Sequence, residues 1–163
     1  MQLYLVRHAT AQDRDPNGQD NPRRALTDQG HAEAALLAQA MRQMRIAPDV
    51  VLTSPYQRCV ETARPLASLL DTEVIVERRL EPGFSAVEFS ALWERYAAAQ
   101  SLILVGHEPD LSGLVAYFTG AHVRMAKAGI ARIEVSRTRA SCELRWFLRP
   151  KQVRLIAAAK ITA

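Results

Sequence analysis

The chain has 163 residues, 48% hydrophobic and 23% charged, with two cysteines and a formal net charge of +4. That length suits one compact domain with a substantial core, and the balance is that of an ordinary soluble globular protein. Cys59 and Cys142 are too few for a disulfide framework and lack metal-ligand spacing, no apolar run approaches the ~20 residues of a membrane span, and the N-terminus has none of the marks of a secretory signal. The expectation is a cytoplasmic protein with reduced thiols, no membrane association, and a monomeric state.

The charge is unevenly spread. Residues 1–123 carry 11 basic and 15 acidic side chains, whereas residues 124–163 carry 10 basic and 2 acidic. A basic C-terminal quarter fits nucleic acid, a membrane surface or an acidic protein partner. Only Trp146-Phe147 offers the aromatic interleaving that stacks bases, so no nucleic-acid partner is expected and the arginines read mainly as a solvated face. Arg137 and Arg139 are the residues that would dock an acidic partner.

In chain order, Leu3-Tyr4-Leu5-Val6 reads as a buried strand of a parallel sheet that ends on Arg7-His8. In open α/β sheets the crevice beyond the strands' carboxyl ends receives ligands. Arg7 brings donors suited to phosphate oxygens, and the adjacent charge keeps His8 unprotonated, as a nucleophile requires. Residues 11–26 form a polar loop long enough to suggest a functional role. Thr27 caps a helix to about Arg45, with Ala32, Ala35, Leu36, Ala40 and Met44 on its buried side, and Ala47-Pro48-Asp49 stops it.

Val50-Val51-Leu52 is a second buried strand, followed by Ser54 as helix cap and Pro55 at the first helical position. Arg58 falls in the first turn of that helix, directed toward the strand ends, and Pro65 should kink or split it. Cys59 reads as a buried apolar residue. Val74-Ile75-Val76 is a third strand. Leu80-Glu81-Pro82-Gly83 makes a turn, with Glu81 at the exit from the sheet, and a helix runs from about Ser85 to Ala98. Leu102–Val105 is a fourth strand that delivers Gly106-His107, and a helix from Pro109 ends at Gly120. His31 and His122 read as structural and loop residues. Residues 129–135 and 143–148 alternate as strands with one wet face, joined by a turn at 136–142, and the segment from Val153 is ambiguous.

Three strand ends thus supply Arg7-His8, Ser54 with Arg58, and Gly106-His107. Paired histidines also suit a metal, but flanking arginines repel a cation, and Glu108 and Asp110 are few. Two Arg and two His constitute anion chemistry, as phosphoryl transfer demands.

Arg7-His8-Ala9 after an opening strand, Thr53-Ser54-Pro55-x-x-Arg58-x-x-x-Thr62-Ala63, and Val105-Gly106-His107 together resemble the histidine phosphatase superfamily, the phosphoglycerate mutase-like fold, over nearly the whole chain. The short length, Arg24-Ala25-Leu26-Thr27-x-x-Gly30, His107-Glu108-Pro109 and the compact C-terminal hairpin are similar to the SixA branch of phosphohistidine phosphatases. The resemblance implies a three-layer α/β/α fold with a mostly parallel central sheet and a C-terminal antiparallel β-hairpin, in a single domain over residues 1–163 without a long lid insertion. It implies that His8 is transiently phosphorylated, that Arg7, Arg58 and His107 complete the phosphate pocket, and that Arg24 adds a contact. Neither metal nor cofactor is implied. Two departures stand out. Ala9 replaces a common glycine, and the proton-donor carboxylate of other branches has only Glu81 as its nearest counterpart. An uncovered pocket would admit a phosphohistidine-bearing protein, a phosphotransfer domain or phosphocarrier, with inorganic phosphate as product. The alternatives are a small-molecule phosphate ester phosphatase using the same site and a non-catalytic phosphate-binding module.

Overall fold

The computed structural model describes residues 1–136 and 141–159. A six-stranded sheet has the order β3-β2-β4-β1-β5-β6, built from β1 (Gln2–Arg7), β2 (Val50–Thr53), β3 (Val74–Val76), β4 (Ser101–Gly106), β5 (Ile130–Val135) and β6 (Cys142–Leu148). The first four strands in that order are mutually parallel; β5 runs antiparallel to β1, and β6 to β5. β2 and β4 are buried throughout, which is why they read as unbroken apolar runs rather than alternating ones.

Helices cover both faces. Alternation along β1 sends Leu3 and Leu5 to one core, shared with α3 (Ala86–Arg95) and α4 (Asp110–Thr119), and Tyr4 and Val6 to the other. That second core is closed by α1 (Asp28–Gln43), α2 (Gln57–Leu70) and α5 (Pro150–Ala158). The arrangement is the expected three-layer α/β/α fold with a mostly parallel sheet and a C-terminal antiparallel β-hairpin. Ser136 and Ser141 pair at the hairpin's turn; Arg137 and Arg139 lie outside the described residues.

Several local expectations need correcting. Helix α1 buries Ala34, Leu37, Ala38 and Met41 and exposes Ala32 and Ala35, because alanines on every side leave its apolar stripe poorly phased. It also ends earlier, with Arg45 turning the chain at φ 55°. Ser54, whose N–H donates to the Val105 carbonyl, is not the N-cap of α2, which begins at Gln57 after an extended Tyr56; its Oγ accepts the Tyr56 N–H (3.3 Å) ahead of the helix. Pro65 lies inside an unbroken α2, whose Ala63, Leu66 and Ala67 are buried and outweigh the lost backbone bond. Helix α3 is shorter than expected, and the ambiguous C-terminal segment is helix α5, with Pro150 in its first turn.

The loop after β1 is fastened from the side. Thr27 caps α1 by accepting the Gly30 N–H, and its own N–H donates to the Thr10 carbonyl. A Cβ on Gly30 would stand 1.9 Å from the Thr10 oxygen, so only glycine allows this approach. No helix among the described residues is long and apolar enough to cross a membrane.

Candidate active site

Register alone gathers the site. Val6 of β1 and Thr53 of β2 both stand opposite Val105 of β4, so the residues that follow, Arg7-His8, Ser54 and Gly106-His107, leave the sheet at one edge. The His8 N–H donates to the Gly106 carbonyl (3.1 Å), tying the two histidine-bearing segments together. Just below, Thr62 of α2 accepts the Ala9 N–H (3.0 Å) and donates to the Arg58 carbonyl (2.7 Å). Ala9 is fully buried there, so the small residue at this position is retained for packing.

His8 is 7% exposed and His107 4%, with ring centroids 5.5 Å apart. His8 Nδ1–H donates to the Ala9 carbonyl (2.8 Å), which leaves Nε2 with its lone pair. Arg58 Nε–H donates to that Nε2 (3.2 Å). Burial, followed by the charges of Arg58, His107 and Arg7, pushes His8 down to about 3 against the opposing bond to Ala9. Burial and then Arg58 push His107 down to about 4. Both rings are neutral near pH 7.

Arg58, 2% exposed, is the hub. One terminal nitrogen donates to His107 Nδ1 (3.1 Å) and pairs with Asp20 Oδ2 (2.7 Å). With Nδ1 accepting, His107 Nε2–H donates to Ser54 Oγ (2.8 Å). Tyr56 lies beneath the guanidinium, 4.8 Å from ring centre to Arg58 Cζ.

Asp20 was missed by sequence reasoning, which treated residues 11–26 as loop. Its carboxylate bridges Arg58 and Arg24, the latter at 2.8 Å. Burial alone would raise its pKa, but the hydrogen bonds and charges of those two arginines hold it below the ordinary carboxylate range. Asp20 thus gives both cations the kind of anionic partner that a phosphoryl group would provide. The signal was available in principle: an acidic residue four before an arginine of the motif.

The cavity has a volume of about 450 Å³, and its lining includes Arg7, His8, Arg24, Arg58 and His107. Arg7 donates to the Met125 carbonyl (2.7 Å), while its buried Nε has no hydrogen-bond partner among the described residues. All five residues expected at a phosphate pocket are therefore together. Glu81 is not among them: it is exposed at the end of the 3-10 turn Arg78–Leu80, and its neighbour Pro82 lines the cavity in its place. Glu108 does line it, tied through Oε1 to the Met125 N–H (3.1 Å). Cys59 sits behind His107, and burial pushes its thiol up to about 12, so it stays protonated. Among the described residues no three His, Cys, Asp or Glu side chains are grouped to hold a metal ion.

Residues 3–88 match the family model of the histidine phosphatase superfamily (branch 1). An uncharacterised protein of Picosynechococcus is 39% identical over 137 residues, covering 80% of this chain and 82% of that protein. The chain belongs to the histidine phosphatase superfamily. It is an enzyme of the phosphatase type. The protein histidine phosphatase SixA complexed with tungstate superposes with a TM-score of 0.81 at 22% identity, covering 94% of this chain and 99% of its own. The alpha-ribazole phosphatase of Shigella flexneri gives 0.77 at 20% identity, with 92% and 97% covered. Both are likenesses of fold, the phosphoglycerate mutase-like one.

Proposed function

We propose that this protein is a phosphohistidine phosphatase that acts on a partner protein through a covalent intermediate on His8 and needs no metal. The observation that carries the reading is the state of His8: neutral, its Nδ1–H spent on the Ala9 carbonyl, and its Nε2 lone pair facing the Arg58 guanidinium. A nucleophile so oriented needs no base, and the arginines meet the charge of the equatorial oxygens.

The chemistry balances in two steps. His8 Nε2 attacks phosphorus while the P–N bond of a substrate phosphohistidine already protonated on its other ring nitrogen breaks, so the imidazole leaves neutral and no proton is drawn from the protein. Water then attacks the phosphorylated His8, the new P–N bond breaks, and phosphate leaves with His8 restored. Arg7, Arg58 and Arg24 hold the oxygens in both steps, Asp20 giving way as the phosphoryl group takes over its arginine partners. His107, accepting from Arg58 and donating to Ser54, aims the guanidinium. The leaving imidazole is far less basic than an alkoxide, so the exposed Glu81 is not required as acid.

SixA-type substrates suit the short connection between β3 and β4, which offers one helix, α3, and no long lid within a single domain over the chain. A protein-borne phosphohistidine can enter such a cavity. The small-ester reading uses the same residues and is separated by one comparison. With EDTA present, wild type and His8→Ala are assayed on a histidine-phosphorylated phosphotransfer domain and on a panel of phosphate esters. Turnover of the protein by wild type alone, much faster than of any ester, is expected. Preference for the esters reassigns the substrate, and loss of wild-type activity in EDTA overturns the mechanism.

A further inference from the structure

A second cavity, of about 590 Å³, adjoins the first and shares Arg7 with it. Its lining includes Arg7, His122, Arg124 and Arg149 with the apolar Val123 and Phe147, and no acidic side chain. His122, Arg124 and Arg149 are exposed. Among the described residues neither Arg124 nor Arg149 makes an ion pair, in contrast to Arg24 and Arg58 next door. The segment 122–126 that forms one wall also supplies the Met125 carbonyl that holds Arg7, so the groove begins where the phosphate pocket ends.

We propose that this groove seats a glutamate- or aspartate-bearing segment of the partner protein flanking its phosphohistidine. The proposal rests on the reading of the first cavity as a phosphohistidine pocket. Because Arg7 lines both cavities, a polypeptide that carries the phosphoryl group in has the groove within reach. There it meets uncompensated cations, for which carboxylates are the complementary protein group. Val123 and Phe147 give the aliphatic stems of glutamates an apolar surface. A bounded groove continuous with the reacting centre fits a polypeptide attached to the phosphoryl group better than nucleic acid, which asks for a cationic track along its backbone.

The test uses four compounds: a phosphohistidine peptide with three flanking glutamates, the same peptide with glutamines, phosphoramidate as a small P–N substrate, and phosphoserine as a small ester with a second anion. Wild type is compared with the doubly substituted Arg124→Glu, Arg149→Glu protein. For wild type, kcat/KM on the glutamate peptide should exceed that on the glutamine peptide about tenfold at low salt, and most of the difference should vanish at 0.5 M NaCl. The double variant should lose that tenfold while phosphoramidate turnover stays within about threefold. Equal turnover of the two peptides overturns the proposal, as does an equal loss on phosphoramidate and peptide. So does phosphoserine turnover falling as far as the peptide's, which would give the groove to a small substrate's second anion. Should no P–N compound be hydrolysed, the functional reading fails, and fluorescence anisotropy of the unphosphorylated glutamate peptide still decides the groove: binding lost in the double variant supports it, and no binding to wild type, or tighter binding of a DNA duplex, overturns it.

Discussion

The two adjoining cavities share an arginine and a positive character, yet they are built in opposite ways. In the first, Arg14 and Lys127 are exposed, but the groups around His8 are held: Arg58 is locked among His8, His107 and Asp20, Arg24 is held by Asp20, and both neutral histidines have fixed partners. In the second, Arg124 and Arg149 stand in solvent without a carboxylate among the described residues. Buried, paired charges keep their geometry and resist screening, whereas exposed ones adapt to a partner and weaken with salt. The first construction suits one small anion in one orientation, the second a charged surface of loosely specified shape.

The largest expected break in that contrast is His8→Ala, which should lower kcat on the order of 10^4-fold or more on every substrate while leaving the groove's peptide binding unchanged; single-turnover assays and anisotropy read the two. Next comes Arg58→Lys. A lysine keeps the charge but cannot reach His8, His107 and Asp20 at once, so kcat/KM should fall roughly 10^2- to 10^3-fold, with thermal unfolding confirming that the protein folds.

Asp20→Asn sharpens the comparison in the other direction. Removing the carboxylate that engages Arg24 and Arg58 makes the first cavity resemble the second, with cations lacking an anion. Inorganic phosphate should then inhibit at about tenfold lower concentration. Weaker inhibition would mean instead that Asp20 chiefly keeps the arginines in place.

Stability against pH gives a smaller effect with a definite sign. His8 and His107 have folded-state pKa values of about 3 and about 4, below the ordinary 6.5 of an unfolded chain. Below pH 6.5 the unfolded state therefore binds more protons, and their contribution, complete above that pH, is lost as pH falls toward 4. The slope is on the order of 1.4 kcal/mol per pH unit for each ring. Urea unfolding of wild type and His107→Asn between pH 7.5 and 5 isolates one ring's share; parallel curves would count against it.

Much of this molecule was legible in one dimension. Four apolar runs declared β1 to β4, because a parallel sheet covered on both faces needs unbroken apolar strands; β1, β2 and β4 are largely or wholly buried, and β3, at the sheet's edge, is only half-buried. Their abrupt polar ends named Arg7, His8 and His107, and the helix start after β2 named Arg58, because ligands meet such sheets at the carboxyl edge. Where a residue's role is set by its own chemistry and its place at a strand end, spacing was enough. Spacing did not reveal the phase of the alanine-rich α1, the continuity of α2 through Pro65, or the displacement of Ser54 from helix cap to partner of His107. Each depends on which neighbours pack against the segment.

The same holds for Asp20, a loop carboxylate whose meaning comes wholly from two arginines, and for Glu81, which the turn after β3 leaves in solvent. It holds also for the wall of Arg7, which the 122–126 segment bends into a boundary between two cavities. The sequence by itself determined the sheet, the place of the proposed nucleophile and the sign of the charge that surrounds it. Only the tertiary structure decided which charges are paired and which are free, because pairing depends on side chains far apart along the chain meeting within about 3 Å, a distance no periodicity encodes.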